Sequence, residues 1–233
     1  MDDQELNRTL LNIYQRLYTK YGPQHWWPAE KPFEVIIGAI LTQSTNWTNV
    51  EKAIKNLKQA DALKPDALRK LSKDKLARLI HACGYYNVKA SKLKAFMEWF
   101  GEKYHDSLER LFTQDVVSLR QQLLDIYGIG NETADAIILY AGNKPTFVID
   151  AYTRRIMGRM GIKPYKDSYN DWQKMFMENL PTDVKLFNEY HGLLVKLGKE
   201  VCRTHPLCHQ CCLNPTTKNT GDVFPCRHLH HGK

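Results

Sequence analysis

Leu6, Leu10, Ile13, Leu17 and Tyr21 recur every three or four positions, which predicts an amphipathic helix at the N-terminus. Residues 33–41 are almost wholly apolar and follow Pro32. That run is too long for a typical exposed strand and predicts a buried helix with proline in its first turn. Val50, Ile54 and Leu57 mark the next helix, and Ser72 is placed to cap one that closes at Gly84. The same spacing predicts helices near 90–104, 116–126, 132–141, 151–160, 169–180 and 184–201. Alternating strand patterns are scarce, there is no internal repeat or low-complexity linker, and only the stretch from Cys202 onward reads as loop. The expected fold class is all-α.

The chain of 233 residues suffices for one large domain or two small interleaved ones. Lys and Arg number 33 against 25 Asp and Glu, a formal net charge of +8 that favours a polyanionic partner, although a solvated Lys-rich face explains the charge equally well. The N-terminus is acidic and polar, unlike a secretion signal, and no apolar run approaches the roughly 18 residues of a membrane span, so a cytoplasmic protein with no membrane partner is expected. Five of six cysteines lie between Cys202 and Cys226. In a reducing compartment such clustering points to metal ligation over disulfides.

The densest chemistry lies around Gly128-Ile129-Gly130, which separates two helices. The glycines permit a tight turn with positive φ, Asn131 is placed to cap the second helix, and backbone N–H groups at that helix start form an anion site. An ordinary glycine-capped connection fits the same letters. Farther on, Phe147-Val148-Ile149 delivers Asp150 to the start of another helix, where an aspartate is by itself most often a cap.

Taken together, the Gly-x-Gly hairpin, the run to Ile149-Asp150 with Arg155, Leu41-Thr42-Gln43 and Gly84-Tyr85-Tyr86-Asn87-Val88-Lys89-Ala90 resemble the helix–hairpin–helix DNA glycosylase superfamily that includes endonuclease III. The resemblance runs from about Phe33 to Cys211. His25-Trp26-Trp27-Pro28 followed by 33–43 is similar to the 3-methyladenine DNA glycosylase III branch. It implies two lobes, a six-helix bundle at 32–142 and a second lobe from 1–31 and 143–233 that carries an iron–sulfur loop. It also implies Asp150 as the catalytic carboxylate, stabilising positive charge on the sugar and orienting water. Gly128 and Gly130 would hold a DNA phosphate, with a monovalent cation at the hairpin. Gln43 would fill the gap of a flipped base, Tyr85 would wedge the opposite strand and Lys89 would meet phosphate. Trp26, Trp27, Pro28 and Trp47 would form the base pocket, although core packing is the commoner fate of tryptophan.

Bifunctional members carry a nucleophilic lysine two residues after the second hairpin glycine. Here that position is Glu132, which cannot form a Schiff base. Cys202, Cys208 and Cys211 match three ligands of the family's [4Fe–4S] loop, with the first gap one residue shorter than in endonuclease III. Cys226 is the choice for the fourth, with Cys212 in reserve, and zinc held by cysteines with His205 or His209 is the competing metal.

The resulting expectation is a monomeric, monofunctional DNA glycosylase of base excision repair. It would act on damaged double-stranded DNA, on an alkylated purine such as 3-methyladenine. The alternatives are an endonuclease III-type glycosylase/lyase on oxidised pyrimidines, or a non-catalytic helix–hairpin–helix module.

Overall fold

The computed structural model describes residues 2–29 and 31–214. Among these the regular structure is entirely helical. The chain divides into two compact units, one of Met1–Trp27 with Pro145–Lys233 and the other of Pro28–Lys144.

The Pro28–Lys144 unit holds eight α-helical segments. Six are its main members: α2 (Pro32–Leu41), α3 (Trp47–Gln59), α5 (Lys73–Leu79), α6 (Tyr86–Tyr104), α8 (Val116–Leu124) and α9 (Asn131–Ala136), the last running into a π turn at Ile137–Ala141. Between them lie the short α4 (Pro65–Lys70) and α7 (Leu108–Phe112), which the periodicity did not reveal because neither spans two full turns. Helix α2 starts at its proline and is buried from Val35 to Leu41, as its unbroken apolar run requires. Ser72 caps α5 through the Lys75 N–H. That helix stops at Leu79, and one 3-10 turn, His81–Cys83, carries the chain to Gly84.

The hairpin between α8 and α9 is tied by a buried ion pair. Arg120 donates from Nε and Nη2 to both oxygens of Asp135, at 2.9 and 3.2 Å, and from Nη2 to Asn131 Oδ1 at 2.9 Å. Asp135 is fully buried. Two expectations change here. Asn131 is the first residue of α9 and Gly130 takes the N-cap position, because the Asn131 amide oxygen serves Arg120. Only Gly128 uses positive φ, at 82°, while Gly130 at −97° is ordinary extended backbone. Gly128 is also required by space, since a Cβ there would fall 2.3 Å from Lys92 Cγ.

The second unit is built on α1 (Asp3–Tyr21), α10 (Ala151–Arg159), α11 (Tyr169–Asn179) and α12 (Val184–Glu200). Its core is an aromatic cluster. Phe147 stacks on Phe176 at 4.2 Å between centroids and meets Phe187 and Tyr190 edge-on, and the Tyr190 hydroxyl donates to Leu10 O on α1. The extended segment 145–149 is held by side chains of α11. Gln173 donates to Thr146 Oγ1 and Phe147 O, and the Ile149 N–H donates to the Tyr169 hydroxyl. This anchoring fixes where Asp150 begins α10.

Breaking the hairpin pair with Arg120→Ala leaves Asp135 buried without its counter-charge and is expected to cost about 3 kcal/mol or more. Arg120→Lys should recover less than half of that, because an ammonium cannot reproduce the two-pronged contact. Urea titrations of the three proteins check this.

Candidate active site

Asp150 is the N-cap of α10. Its Oδ1 accepts from the Thr153 N–H at 2.7 Å, and the residue is 9 % exposed. The second oxygen, Oδ2, faces His191 Nε2 on α12 at 3.6 Å. His191 is itself 5 % exposed. Burial is the largest influence on the Asp150 carboxyl and raises its pKa. The neighbouring imidazole and the Thr153 N–H outweigh it, so the pKa lies below the ordinary carboxylate value. The group is therefore an anion at neutral pH, held under protein with its Oδ2 lone pairs not consumed by the cap. Capping and chemistry are compatible readings of this residue, since the cap uses one oxygen.

Trp26 lies along the same helix. Its ring meets His191 edge-on at 6.4 Å and Trp27 edge-on at 5.8 Å, and Lys199 Nζ stands 5.7 Å over its centroid. Gly192 makes this approach possible, because a Cβ there would come within 3.0 Å of Trp26 Cβ. Trp26 and Trp27 are half-buried and Pro28 is exposed. His191 is the residue that sequence reasoning missed. A lone histidine inside an amphipathic helix carries no spacing signal, and only the fold brings it to Asp150.

The other sequence-chosen residues belong to the Pro28–Lys144 unit. Gln43 donates to Gly128 O and Thr133 Oγ1, both at 3.0 Å, and its Oε1 accepts from Lys92 Nζ. Its amide thus fastens the hairpin, and filling a vacated base position would require these bonds to be exchanged. Tyr85 is 73 % exposed in left-handed conformation at the start of α6, and Tyr127, beside the hairpin glycine, is 63 % exposed. Trp47 is half-buried at the start of α3, with its indole N–H on Glu51 Oε1 at 2.8 Å. Glu132 is exposed in the first turn of α9.

Lys89 requires a correction. Expected at a phosphate, it is 2 % exposed and donates from Nζ to Cys83 O at 2.7 Å. Burial lowers its pKa, and its role is to close the turn before α6 from inside.

Cys202, Cys208 and Cys211 line one largely apolar cavity with Ile156, Leu197 and Leu213. Arg159 Nη1 lies 3.2 Å from Cys202 Sγ. Among the described residues no three His, Cys, Asp or Glu side chains converge closely enough to hold a metal ion. Cys212 is absent from the cavity lining. Burial raises its pKa, against the opposing charges of Arg16 and Lys20 of α1. Cys226 lies outside the described residues. No described helix is long and apolar enough to cross a membrane.

Comparison with known proteins accords with this arrangement. The family model described as HhH-GPD superfamily base excision DNA repair protein matches residues 37–182. A Methanocaldococcus jannaschii protein designated a candidate DNA repair glycosylase is 44% identical over 203 residues, 87% of this chain and 92% of that protein. Endonuclease III of Thermotoga maritima is 29% identical over 187 residues, 78% of this chain and 80% of its own length. Among solved structures, the H. pylori 3-methyladenine DNA glycosylase MagIII bound to 1,N6-ethenoadenine superposes with a TM-score of 0.71 at 29% identity, covering 86% of this chain and 98% of that one. An endonuclease III–DNA complex shares the fold at a TM-score of 0.76 and 21% identity, covering 88% of this chain and 92% of that one. With a family model spanning most of its length and a buried, ionised carboxylate at the head of α10, the chain belongs to the HhH-GPD superfamily of base excision DNA repair proteins and is a DNA glycosylase.

Proposed function

We propose that the protein is a monofunctional glycosylase that hydrolyses the bond between deoxyribose and an alkylated purine in duplex DNA, with Asp150 as the catalytic residue. The observation that carries this reading is the ionised, buried Asp150 facing His191, which in turn meets Trp26, together with a carboxylate, Glu132, where a lyase needs an amine. As the C1′–N bond breaks, its electron pair leaves with the base and positive charge grows on the sugar. The Asp150 carboxylate stabilises that charge, and water adds at C1′ while its proton passes to Oδ2. An alkylated purine leaves readily and needs little protonation from the protein. Likeness to MagIII supports the substrate class.

Trp26 and Trp27 supply the rings for the base. Lys199 takes the cation position on one face of Trp26. A cationic base such as 3-methyladenine would then stack on the other face of Trp26 or on Trp27, at about 0.5–2 kcal/mol per good contact. The hairpin around Gly128 and Gly130, where a monovalent cation would join the turn carbonyls to a phosphate, and the exposed Tyr85 are assigned to the DNA backbone and the opposite strand.

The spacing of Cys202, Cys208 and Cys211, which border one cavity, supports a [4Fe–4S] cluster with these three as ligands and Cys226 as the fourth, and binding it would require the three thiols to draw together. When bound, the cluster supplies a thiolate-ligated anchor for the loop, and no bond-breaking step depends on it.

Three outcomes are expected. Single-turnover assays on lesion-bearing duplexes should release 3-methyladenine faster than oxidised pyrimidines, without strand cleavage before alkali and without a borohydride-trapped adduct. Preference for an oxidised pyrimidine, or a trapped adduct, moves the assignment to the endonuclease III-type reading. Asp150→Asn should lower base release by at least about a hundredfold with lesion binding near normal, since the amide retains the cap but neither stabilises cation nor accepts a proton. Protein purified without oxygen should be yellow-brown, absorbing near ~400 nm, and Cys202→Ser should bleach it. Colourless protein carrying zinc replaces the cluster with the competing metal.

A further inference from the structure

We infer that His191 is a positioning residue for Asp150, fixing the plane of the carboxylate by holding one side of Oδ2 while the Thr153 N–H holds Oδ1. This rests on the reading that Asp150 is the reacting group. The geometry is specific. Oδ1 is committed to the cap at 2.7 Å, so a carboxylate held there alone keeps freedom to swing its other oxygen. His191 Nε2 is the ring nitrogen directed at Oδ2, at 3.6 Å, which is an ion-pair contact wider than a hydrogen bond. Catalytic contacts of this kind often tighten only when substrate is bound.

The imidazole cannot drift. Trp26 packs on it edge-on, and Gly192 keeps that tryptophan close to α12. Four charged groups on or beside these helices have contacts of their own. Arg154 reaches Asp167, Arg155 reaches the carbonyls of Gly198 and Cys202, Glu189 accepts from the Gln24 N–H, and Lys199 stands over Trp26. Among the described residues, His191 is the ionisable side chain seen at ion-pair distance from Oδ2. An ionised carboxylate has room for about four hydrogen bonds, so an imidazole on one side of Oδ2 leaves the other lone pair for the attacking water. The imidazole also opposes the effect of burial on Asp150.

Two substitutions of equal polarity and different reach provide the test. The amide of His191→Gln extends to the place of Nε2, whereas that of His191→Asn stops near Nδ1. Single-turnover base release is measured across pH for both, with lesion binding, melting temperature and Asp150→Asn in parallel. The expected result is that His191→Asn loses at least about tenfold in rate, the scale of a misaligned general base. Its acidic limb should shift to higher pH, because burial then acts on Asp150 with less opposition. His191→Gln should recover most of the rate, and both should bind lesion DNA normally. A wild-type rate and pH profile in His191→Asn overturns the inference. Equal impairment of both variants at unchanged melting temperature also does so, and loss of folding in both assigns His191 to packing alone. If Asp150→Asn itself releases base normally, the underlying assignment of Asp150 fails, a result distinct from any of these.

Discussion

Keeping one carboxylate ionised beneath protein is the constraint on which the Met1–Trp27 and Pro145–Lys233 unit turns. Burial alone would protonate Asp150 or expel it to solvent. Three local features oppose that: the first-turn N–H of Thr153, the position at the positive end of α10, and the His191 imidazole. Each depends on a longer-range arrangement. Helix α10 starts where it does because Gln173 and Tyr169 hold segment 145–149, and α12 presents His191 because Phe187 and Tyr190 pack around Phe147. The aromatic cluster is thus the frame that sets the electrostatics of a single oxygen atom.

The Pro28–Lys144 unit solves a different problem, the rigidity of a turn with few residues. Gly128 supplies the left-handed backbone, Lys92 covers it closely enough to exclude any side chain, and Gln43 joins the turn carbonyl to Thr133. Arg120 and Asp135 then fix the angle between the flanking helices through a planar contact that a lysine would not make. A hairpin built this way keeps its N–H groups in place without a ligand, so binding an anion there costs little ordering.

What was legible in the sequence follows from which forces are local. Helix positions were readable because burial repeats with the helical period, and Ser72 and Asp150 announced their caps by residue type. The short helices α4 and α7 were not, having too few residues to show a period. Lys89 misled for a physical reason: a lysine in a basic, tyrosine-rich loop reads as exposed, and only the tertiary turn at Cys83 gives its ammonium a buried acceptor. Asn131 misled similarly, because Arg120 claimed the amide oxygen that capping would have used. His191 was silent because its partner lies 41 positions away, Asp150 to His191, and no spacing rule connects them.

Trp26 shows how the same residues narrow the chemistry. A ring with a lysine ammonium over one face is a poorer receiver for a second cation on that face, because both draw on the same quadrupole. His191 and Trp27 both meet the ring at steep angles, so a flat base would have to stack on the face away from Lys199. A base on that face would be held by dispersion and shape as much as by charge. Under the proposed function, selectivity toward alkylated purines would arise chiefly from how easily their bond to the sugar breaks once a carboxylate such as Asp150 stabilises the developing cation, with Trp26 and Trp27 serving to hold the base long enough for that to happen.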